Sequence, residues 1–261
     1  MSNGTIKSIV KAGRVIDLMA ASAKPLTLTA IAKETGMAKS TLHGILSTLV
    51  EIGYVSQSAE NDQYSLSVHM FEIGSSVSNS WNERQIAIPY MQRILEQTGE
   101  TVHMAVLSDG EVLYIHKQES SRSIQIVTAN GVKLPAHCTG LGKALLSGLQ
   151  PAEVLQIVDS KGMQRLTEHT ITSYDALMDE LARVRQQGYS VDNQEFMDGL
   201  RCIAVPIYTH SGKVTAAISI AGPLSRMRDE DFEFNKKCLL TAAREISKKL
   251  GYTNEQFKAA V

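Results

Sequence analysis

The segment Leu26–Val55, LTLTAIAKETGMAKSTLHGILSTLVEIGYV, decides the fold of the first part of the chain. Leu28, Ile31, Ala32 and Thr35 share one face of a short helix, and Thr27 or Thr29 is placed to cap its start. Gly36 ends that helix, at a position where a left-handed turn is cheapest without a Cβ. Only Met37 and Ala38 follow before a second helix, in which Leu42, Ile45, Leu46 and Leu49 recur at i, i+3, i+4 and i+7. Gly53 stops it. Tyr54–Val55 and Tyr64–Leu66 then make two short strands around a polar tip, Glu60-Asn61-Asp62. Two helices that cross steeply through a tight turn need a small residue at their contact, a turn glycine and branched apolar residues inside. Ala32, Gly36, Leu42, Ile45 and Ile31 stand at those positions. The expected unit is a helix-turn-helix followed by a β wing.

The outward residues of the second helix are Lys39, Ser40, Thr41, His43, Gly44 and Ser47. They gather toward its N-terminal end, the end that reaches base edges in a major groove. Lys39 suits phosphate or guanine, and the Ser40 and Thr41 hydroxyls suit phosphate. His43 suits a base edge, and Gly44 lets a backbone approach closely. Each residue alone reads equally well as solvated surface, and Ser40 as a helix cap. Together they point to double-stranded DNA. Charge agrees. Residues 1–41 hold Lys7, Lys11, Arg14, Lys24, Lys33 and Lys39 against Asp17 and Glu34, a net of +4. Residues 42–80 hold no Lys or Arg and four acids, a net of −4, so the overall charge of −1 hides a basic face. The wing tip is acidic, so little phosphate contact is expected from it.

Upstream, Ile9, Gly13, Ile16 and Ala20 mark one face of a first helix, closed by Pro25. Residues 68–82 form a connecting helix. The expected division is 1–67 for the winged helix-turn-helix, 68–82 for the linker and 83–261 for a second, α+β domain. In that domain a helix over Ile86–Thr98 turns Ile86, Tyr90, Ile94 and Leu95 inward. Strands Val102–Leu107 and Val112–His116 join through Asp109-Gly110, a strong hairpin signal. A strand at Ile124–Val127 and a turn at Asn130-Gly131 follow. Next come helices over Gly140–Leu146, over Ala152–Val158 behind Pro151, and to Gln187 from a Thr172/Asp175 capping box. Strands Cys202–Tyr208 and Val214–Ala221 and a helix over Asp229–Leu250 complete it.

Composition narrows function. At 43% hydrophobic and 20% charged the chain has the balance of a folded protein. The longest weakly polar run, Val214–Gly222, is far short of the roughly 18 residues a membrane helix needs. No secretory leader pattern opens the sequence, and three dispersed cysteines, Cys138, Cys202 and Cys238, fit a reducing cytoplasm. No nucleophile elbow, P-loop or dinucleotide-binding glycine pattern appears, so neither catalysis nor a cofactor is expected. The competing possibility is a Cys-dependent redox enzyme or a metal site built from His137, Cys138, Cys202 and His103. A ligand site is suggested by Thr139-Gly140-Leu141-Gly142, which enters a helix after a proline-containing loop. Free backbone N–H groups there attract an anion. Asp192 stands in a polar loop, and Cys202 and Ser219 on strands. The structural alternatives are a turn role for Gly140, a loop cap for Asp192, buried filler for Cys138 and Cys202, and a structural hydrogen bond for His137.

Three segments then carry a resemblance: Leu26–Val55, Lys133–Ser147 (KLPAHCTGLGKALLS), and the Gly188–Gly222 region with GLRCIAVPI and AAISIAGP. Across residues 5–251 the chain resembles the isocitrate-lyase-regulator (IclR) family of bacterial transcriptional regulators. The resemblance implies a winged helix-turn-helix, a linker helix and a GAF-like effector-binding domain. It implies a homodimer or tetramer on a pseudo-palindromic operator, and a small organic acid as effector. It places Thr139, Gly140, Leu141, Asp192, Cys202 and Ser219 around that acid. Gly140 and Leu141 would act through backbone N–H, Asp192 and Ser219 through hydrogen bonds, and Cys202 as wall. Ala221 stands where some relatives carry a second serine. YIHKQES (Tyr114–Ser120), HTITSYDAL (His169–Leu177), GYSVDNQEF (Gly188–Phe196) and LTAAREISKKLGY (Leu240–Tyr252) are similar to the family's sugar-acid branch, the 2-keto-3-deoxygluconate regulators. LPAHCTGLGKALL departs from that branch in its His-Cys pair. The implied activity is repression relieved by an acid such as 2-keto-3-deoxygluconate.

Overall fold

The computed structural model describes residues 5–22, 24–121 and 129–253. The chain divides into two compact units, residues 1–81 and 82–261.

The first unit contains α1 (Lys7–Ala21), β1 (Leu26–Thr27), α2 (Leu28–Thr35), α3 (Lys39–Glu51), β2 (Val55–Gln57), β3 (Gln63–Leu66) and α4 (Val68–Ser80). Its core joins Val15 and Met19 of α1, Ile31 of α2, Leu42, Leu46 and Leu49 of α3, and Val55 and Tyr64 of the wing. The face expected for α1 is corrected. Ile9 and Ala20 are exposed, and Val15 and Met19 are the buried pair, because the helix meets its neighbours one step around from the predicted stripe. Thr27 is the cap of α2, its hydroxyl accepting from Ala30 N at 3.2 Å. Gly36 has φ +67°, and a Cβ there would meet nothing within 4 Å. The turn therefore demands glycine for its dihedral, not for space. β1 pairs with β3 and completes a sheet of order β1-β3-β2, a pairing too short to leave a pattern in the sequence. Ser67 caps α4 through His69 N at 3.2 Å and donates to the Gly53 carbonyl, which ties the start of α4 to the end of α3.

The second unit contains α5 (Asn82–Thr98), β4 (Thr101–Ser108), β5 (Glu111–Gln118), β6 (Lys133–Pro135), α6 (Gly140–Leu146), α7 (Pro151–Lys161), α8 (Tyr174–Gln187), β7 (Ser190–Asn193), β8 (Leu200–Tyr208), β9 (Val214–Pro223) and α9 (Asp229–Lys249). The strands form an antiparallel sheet of order β6-β5-β4-β9-β8-β7. Asp109 and Gly110 both take positive φ, 52° and 78°, as the hairpin signal requires. α5 begins at Asn82 and buries Ala87, Met91 and Ile94, while the predicted Ile86, Tyr90 and Leu95 are only half-buried. The cap of α8 is Ser173, not Thr172: its side chain accepts from Ala176 N. The strand expected at 124–127 lies outside the described residues.

β6 and β7 lie outside the sequence expectation, since KLP and SVDN are too short to show a strand period. The correction matters for β7, because it removes Asp192 from a loop and places it on a sheet-edge strand, opposite Cys202. Ala105, Ala204 and Ala217 are buried in one cluster with Leu141, Ala144 and Leu145 of α6. Small side chains there let α6 approach the sheet closely. Gly142 completes the fit, since a Cβ on it would overlap the Ala136 carbonyl.

Candidate functional site

Two places collect the predicted residues. In the first unit, Lys39, Ser40, Thr41, His43, Gly44 and Ser47 are all exposed on α3. The helix starts at Lys39 with Ala38 as its cap residue. Ser40 is thus not the cap, and its hydroxyl is not used there. A Cβ at Gly44 would meet nothing within 4 Å, so the helix is open at that point. Leu42, Leu46 and Leu49 anchor the opposite face in the core. A rigid helix therefore presents hydroxyls, a lysine and an imidazole from its first turns.

In the second unit, Thr139, Gly140, Leu141, Asp192, Cys202 and Ser219 line one small cavity of about 20 Å³, room for about one water molecule. The strand register explains the convergence. Thr101, Ala221, Cys202 and Asp192 lie side by side across β4, β9, β8 and β7, and His103, Ser219, Ala204 and Ser190 form the neighbouring row. Residues directly opposite across strands share a face. Segments far apart in the chain thus deliver side chains to one floor beneath α6. Thr139 caps α6 through Gly142 N at 3.2 Å, and its hydroxyl donates to the Pro135 carbonyl at 2.9 Å. Gly140 sits against Cys202: a Cβ on it would meet Sγ at 3.2 Å. Ser190 donates to the Gly140 carbonyl at 2.6 Å and so pins the start of α6 to the sheet.

Asp192 is 2% exposed, and burial raises its carboxyl to about 7, with partial relief from the Glu195 backbone N–H. Its Oδ1 accepts from Glu195 N at 2.7 Å and Phe196 N at 3.3 Å. Asp192 therefore caps the turn that brings Phe196 over the cavity, a role its sequence context left open. The Ser219 hydroxyl is buried without an oxygen or nitrogen partner, and its polar neighbour is the Cys202 thiol.

Sequence reasoning missed part of the site. His103, Tyr114, Leu134, Phe196 and Leu200 also line the cavity. The His103 and Tyr114 rings meet edge-on at 5.4 Å and 88°. Burial lowers His103 to about 3, with Lys117 acting in the same direction, so the imidazole is neutral. Behind the cavity, Lys143 of α6 is fully buried, pairs with Glu195, and lies 3.4 Å from Glu180 of α8. One oxygen of Glu195 remains without a partner. A single lysine within the apolar run GLGKALL was the available signal: a buried cation requires anions beside it.

His137 lies outside this cavity and shares a hydrogen bond with the Gln164 carbonyl at 3.1 Å through Nε2. Burial pushes the thiols of Cys138 and Cys202 up to about 12, away from the thiolate a nucleophile or metal ligand needs. Among the described residues no group of three or more His, Cys, Asp or Glu is arranged to hold a metal ion. No helix among them is long and apolar enough to cross a membrane.

Residues 8–59 match the IclR helix-turn-helix domain, and residues 75–248 match the bacterial transcriptional regulator IclR C-terminal domain. The chain is 36% identical to the HTH-type transcriptional regulator XynR of Escherichia coli (strain K12) over 95% of its own length and 98% of the relative's. It is 34% identical to the HTH-type transcriptional regulator KdgR of the same organism, over 97% of this chain and 96% of that one. Among solved structures it resembles an IclR homologue from Microbacterium hydrocarbonoxydans complexed with 4-hydroxybenzoate. That likeness has a TM-score of 0.82 at 26% identity and covers 93% of this chain and 98% of the other.

Proposed function

The chain belongs to the IclR family of bacterial transcriptional regulators, not to an enzyme family, and from that premise we propose how it reads DNA and what controls it. Two copies of α3 enter successive major grooves of a two-fold operator. Lys39, Ser40 and Thr41 hold phosphate or guanine, His43 reads a base edge, and Ser47 lies further along the same face. Gly44 lets the helix seat closely. The protein acts as a repressor and as a homo-oligomer, since a two-fold site fits a two-fold protein. Helix α4, within the 68–82 linker, carries the signal between reader and sensor.

The effector is a small organic acid held in the cavity of the second unit. The observation that carries this reading is the buried Ser219 hydroxyl, without an oxygen or nitrogen partner, in a cavity with Asp192, Cys202 and the Thr139–Leu141 segment. Gly140 and Leu141 offer backbone N–H to the carboxylate, Asp192 and Ser219 take ligand oxygens, and Cys202 is wall. The KdgR relative favours a keto-sugar acid such as 2-keto-3-deoxygluconate. The effector changes DNA affinity only as far as it binds one state better than the other.

The test is a titration of duplex DNA, selected from a random pool by this protein, with and without added acids. 2-Keto-3-deoxygluconate, pyruvate, glyoxylate and 4-hydroxybenzoate form the panel, and thermal stability is read in parallel. One acid is expected to weaken DNA binding and raise the melting temperature of the parent. A ligand at 100 times its Kd stabilises the form it binds by about 2.7 kcal/mol. DNA binding unchanged by every acid, with no thermal shift, sinks the effector reading.

A further inference from the structure

We propose that Phe196 is a built-in plug of this cavity: its ring fills the space that the body of a ligand takes, and a ligand binds by pushing it out. This rests on the ligand-pocket reading above and adds the step that controls access to it.

Size sets the problem. The cavity has room for about one water molecule. Even glyoxylate is larger than that, so a wall has to move before any acid is held. Most of the wall is fixed. His103, Tyr114, Cys202 and Ser219 stand on strands of one hydrogen-bonded sheet. Gly140 and Leu141 open α6, whose first carbonyl is pinned by Ser190 and whose Gly142 is fitted against Ala136. Of the described lining side chains, only Phe196 belongs to neither a strand nor a helix nor a helix cap.

The chain around Phe196 is anchored at both ends and loose between them. Glu195 donates its N–H to Asp192 Oδ1 at 2.7 Å, accepts from the Thr170 hydroxyl at 2.7 Å and pairs with Lys143. Gly199 accepts from Leu224 N at 2.7 Å and donates to Gln194 Oε1 at 3.0 Å. In the span from one anchor to the other, Phe196 N reaches Asp192 at 3.3 Å, and Met197 and Asp198 are exposed. A Cβ on Gly199 would meet nothing within 4 Å, so that side of the turn is clear. The half-buried ring packs on Leu200, Cys202 and Ala221. Apolar contact of that kind is non-directional, and a ligand that covers the same floor replaces it. The closed turn reduces apparent affinity by the fraction of molecules in which the ring is out. Removing the ring removes that penalty, whereas removing an ordinary wall residue only loses contact.

The experiment is isothermal titration of the full-length protein with 2-keto-3-deoxygluconate, pyruvate, glyoxylate and 4-hydroxybenzoate. Phe196→Ala is expected to bind the best of the four at least tenfold more tightly than the parent does. Phe196→Leu keeps a smaller apolar group over Leu200 and Cys202, serves where alanine fails to fold, and is expected to fall between. Hydrogen exchange gives a second reading. The amides of Phe196 and Leu200, bonded to Asp192 and to the Met197 carbonyl, are expected to exchange at least threefold faster in the parent at saturating ligand. Binding by the variants alone is the extreme form of the expected result. Binding that is unchanged or weaker in both variants makes the ring a fixed wall, leaves the ligand pocket in place and overturns this proposal alone. Slower exchange of those amides shows the turn closing on the ligand and also overturns it. No binding by any probe to parent or variants overturns the pocket reading and this proposal with it.

Discussion

On α3 the residues proposed to read DNA all fall between Lys39 and Ser47, on one exposed helical face backed by Leu42, Leu46 and Leu49. Around the cavity, the lining runs from His103 to Ala221 and comes from β4, β5, β6, α6, β7, β8 and β9. The first site is an outward surface, exposed along its whole length. The second is buried, and burial shifts its titratable groups: His103 is held neutral, the Cys202 thiol is held protonated, and Asp192 is raised to about 7. A helical surface tolerates change because little packs on it. A cavity floor under a buried ion pair does not.

That contrast is most exposed to failure at Lys143. Lys143→Ala leaves Glu195 and Glu180 without their buried cation. The expected loss is about 3–5 kcal/mol, confined to the second unit. Hydrogen exchange should accelerate in peptides from residues 140–208 and stay at parental rates in residues 28–66. Equal acceleration in both would mean that the two units unfold as one.

Asp192 sharpens the comparison by pH. A carboxyl raised from its ordinary value near 4 to about 7 binds its proton more tightly folded than unfolded. Folding stability therefore falls as pH rises between those values and levels off above the upper one. Asp192→Asn retains an oxygen to accept from Glu195 N and Phe196 N but carries no charge. Urea unfolding should show the variant gaining on the parent by about 2 kcal/mol between pH 5 and pH 8. A difference that stays constant with pH would show that Asp192 is ionised throughout in the folded protein.

The smallest effects on stability belong to the exposed face of α3. Lys39→Ala and His43→Ala should each weaken operator binding about tenfold, with stability within about 0.5 kcal/mol of the parent. Lys39→Ala should also reduce the salt dependence of binding, and His43→Ala should not. Operator affinity equal to the parent's in both variants would remove α3 as the reader. A large loss of stability would show that this face is packed, and the contrast between the two sites would fail.

The winged helix-turn-helix was legible because its signals are local. Helical period, the Thr27 cap, the Gly36 turn and the spacing of Ala32 to Ile45 all lie within a few turns of chain. The hairpin at Asp109-Gly110 was legible for the same reason. α1 was misread by a fraction of a turn, since several of its faces are apolar and only the neighbours select one. Thr172 and Ser173 are adjacent hydroxyls with equal claims to the cap in the sequence, and only the folded chain selects Ser173. β6 and β7 were missed because a three- or four-residue strand has no period to detect, and its hydrogen bonds come from a partner strand far along the chain.

For the second site, the chain order of residues and a family likeness were enough to name Thr139, Gly140, Leu141, Asp192, Cys202 and Ser219. The tertiary structure placed them on one cavity and added His103, Tyr114 and Phe196. It also turned Asp192 from a loop residue into a buried turn cap, and Lys143 from one basic residue in an apolar run into the centre of an ion-pair cluster. The reason is physical. Periodicity and capping depend on neighbours in sequence, so they can be read from residues alone. Strand register, burial and the pKa shifts that follow from burial depend on neighbours in space, and only the folded chain supplies those.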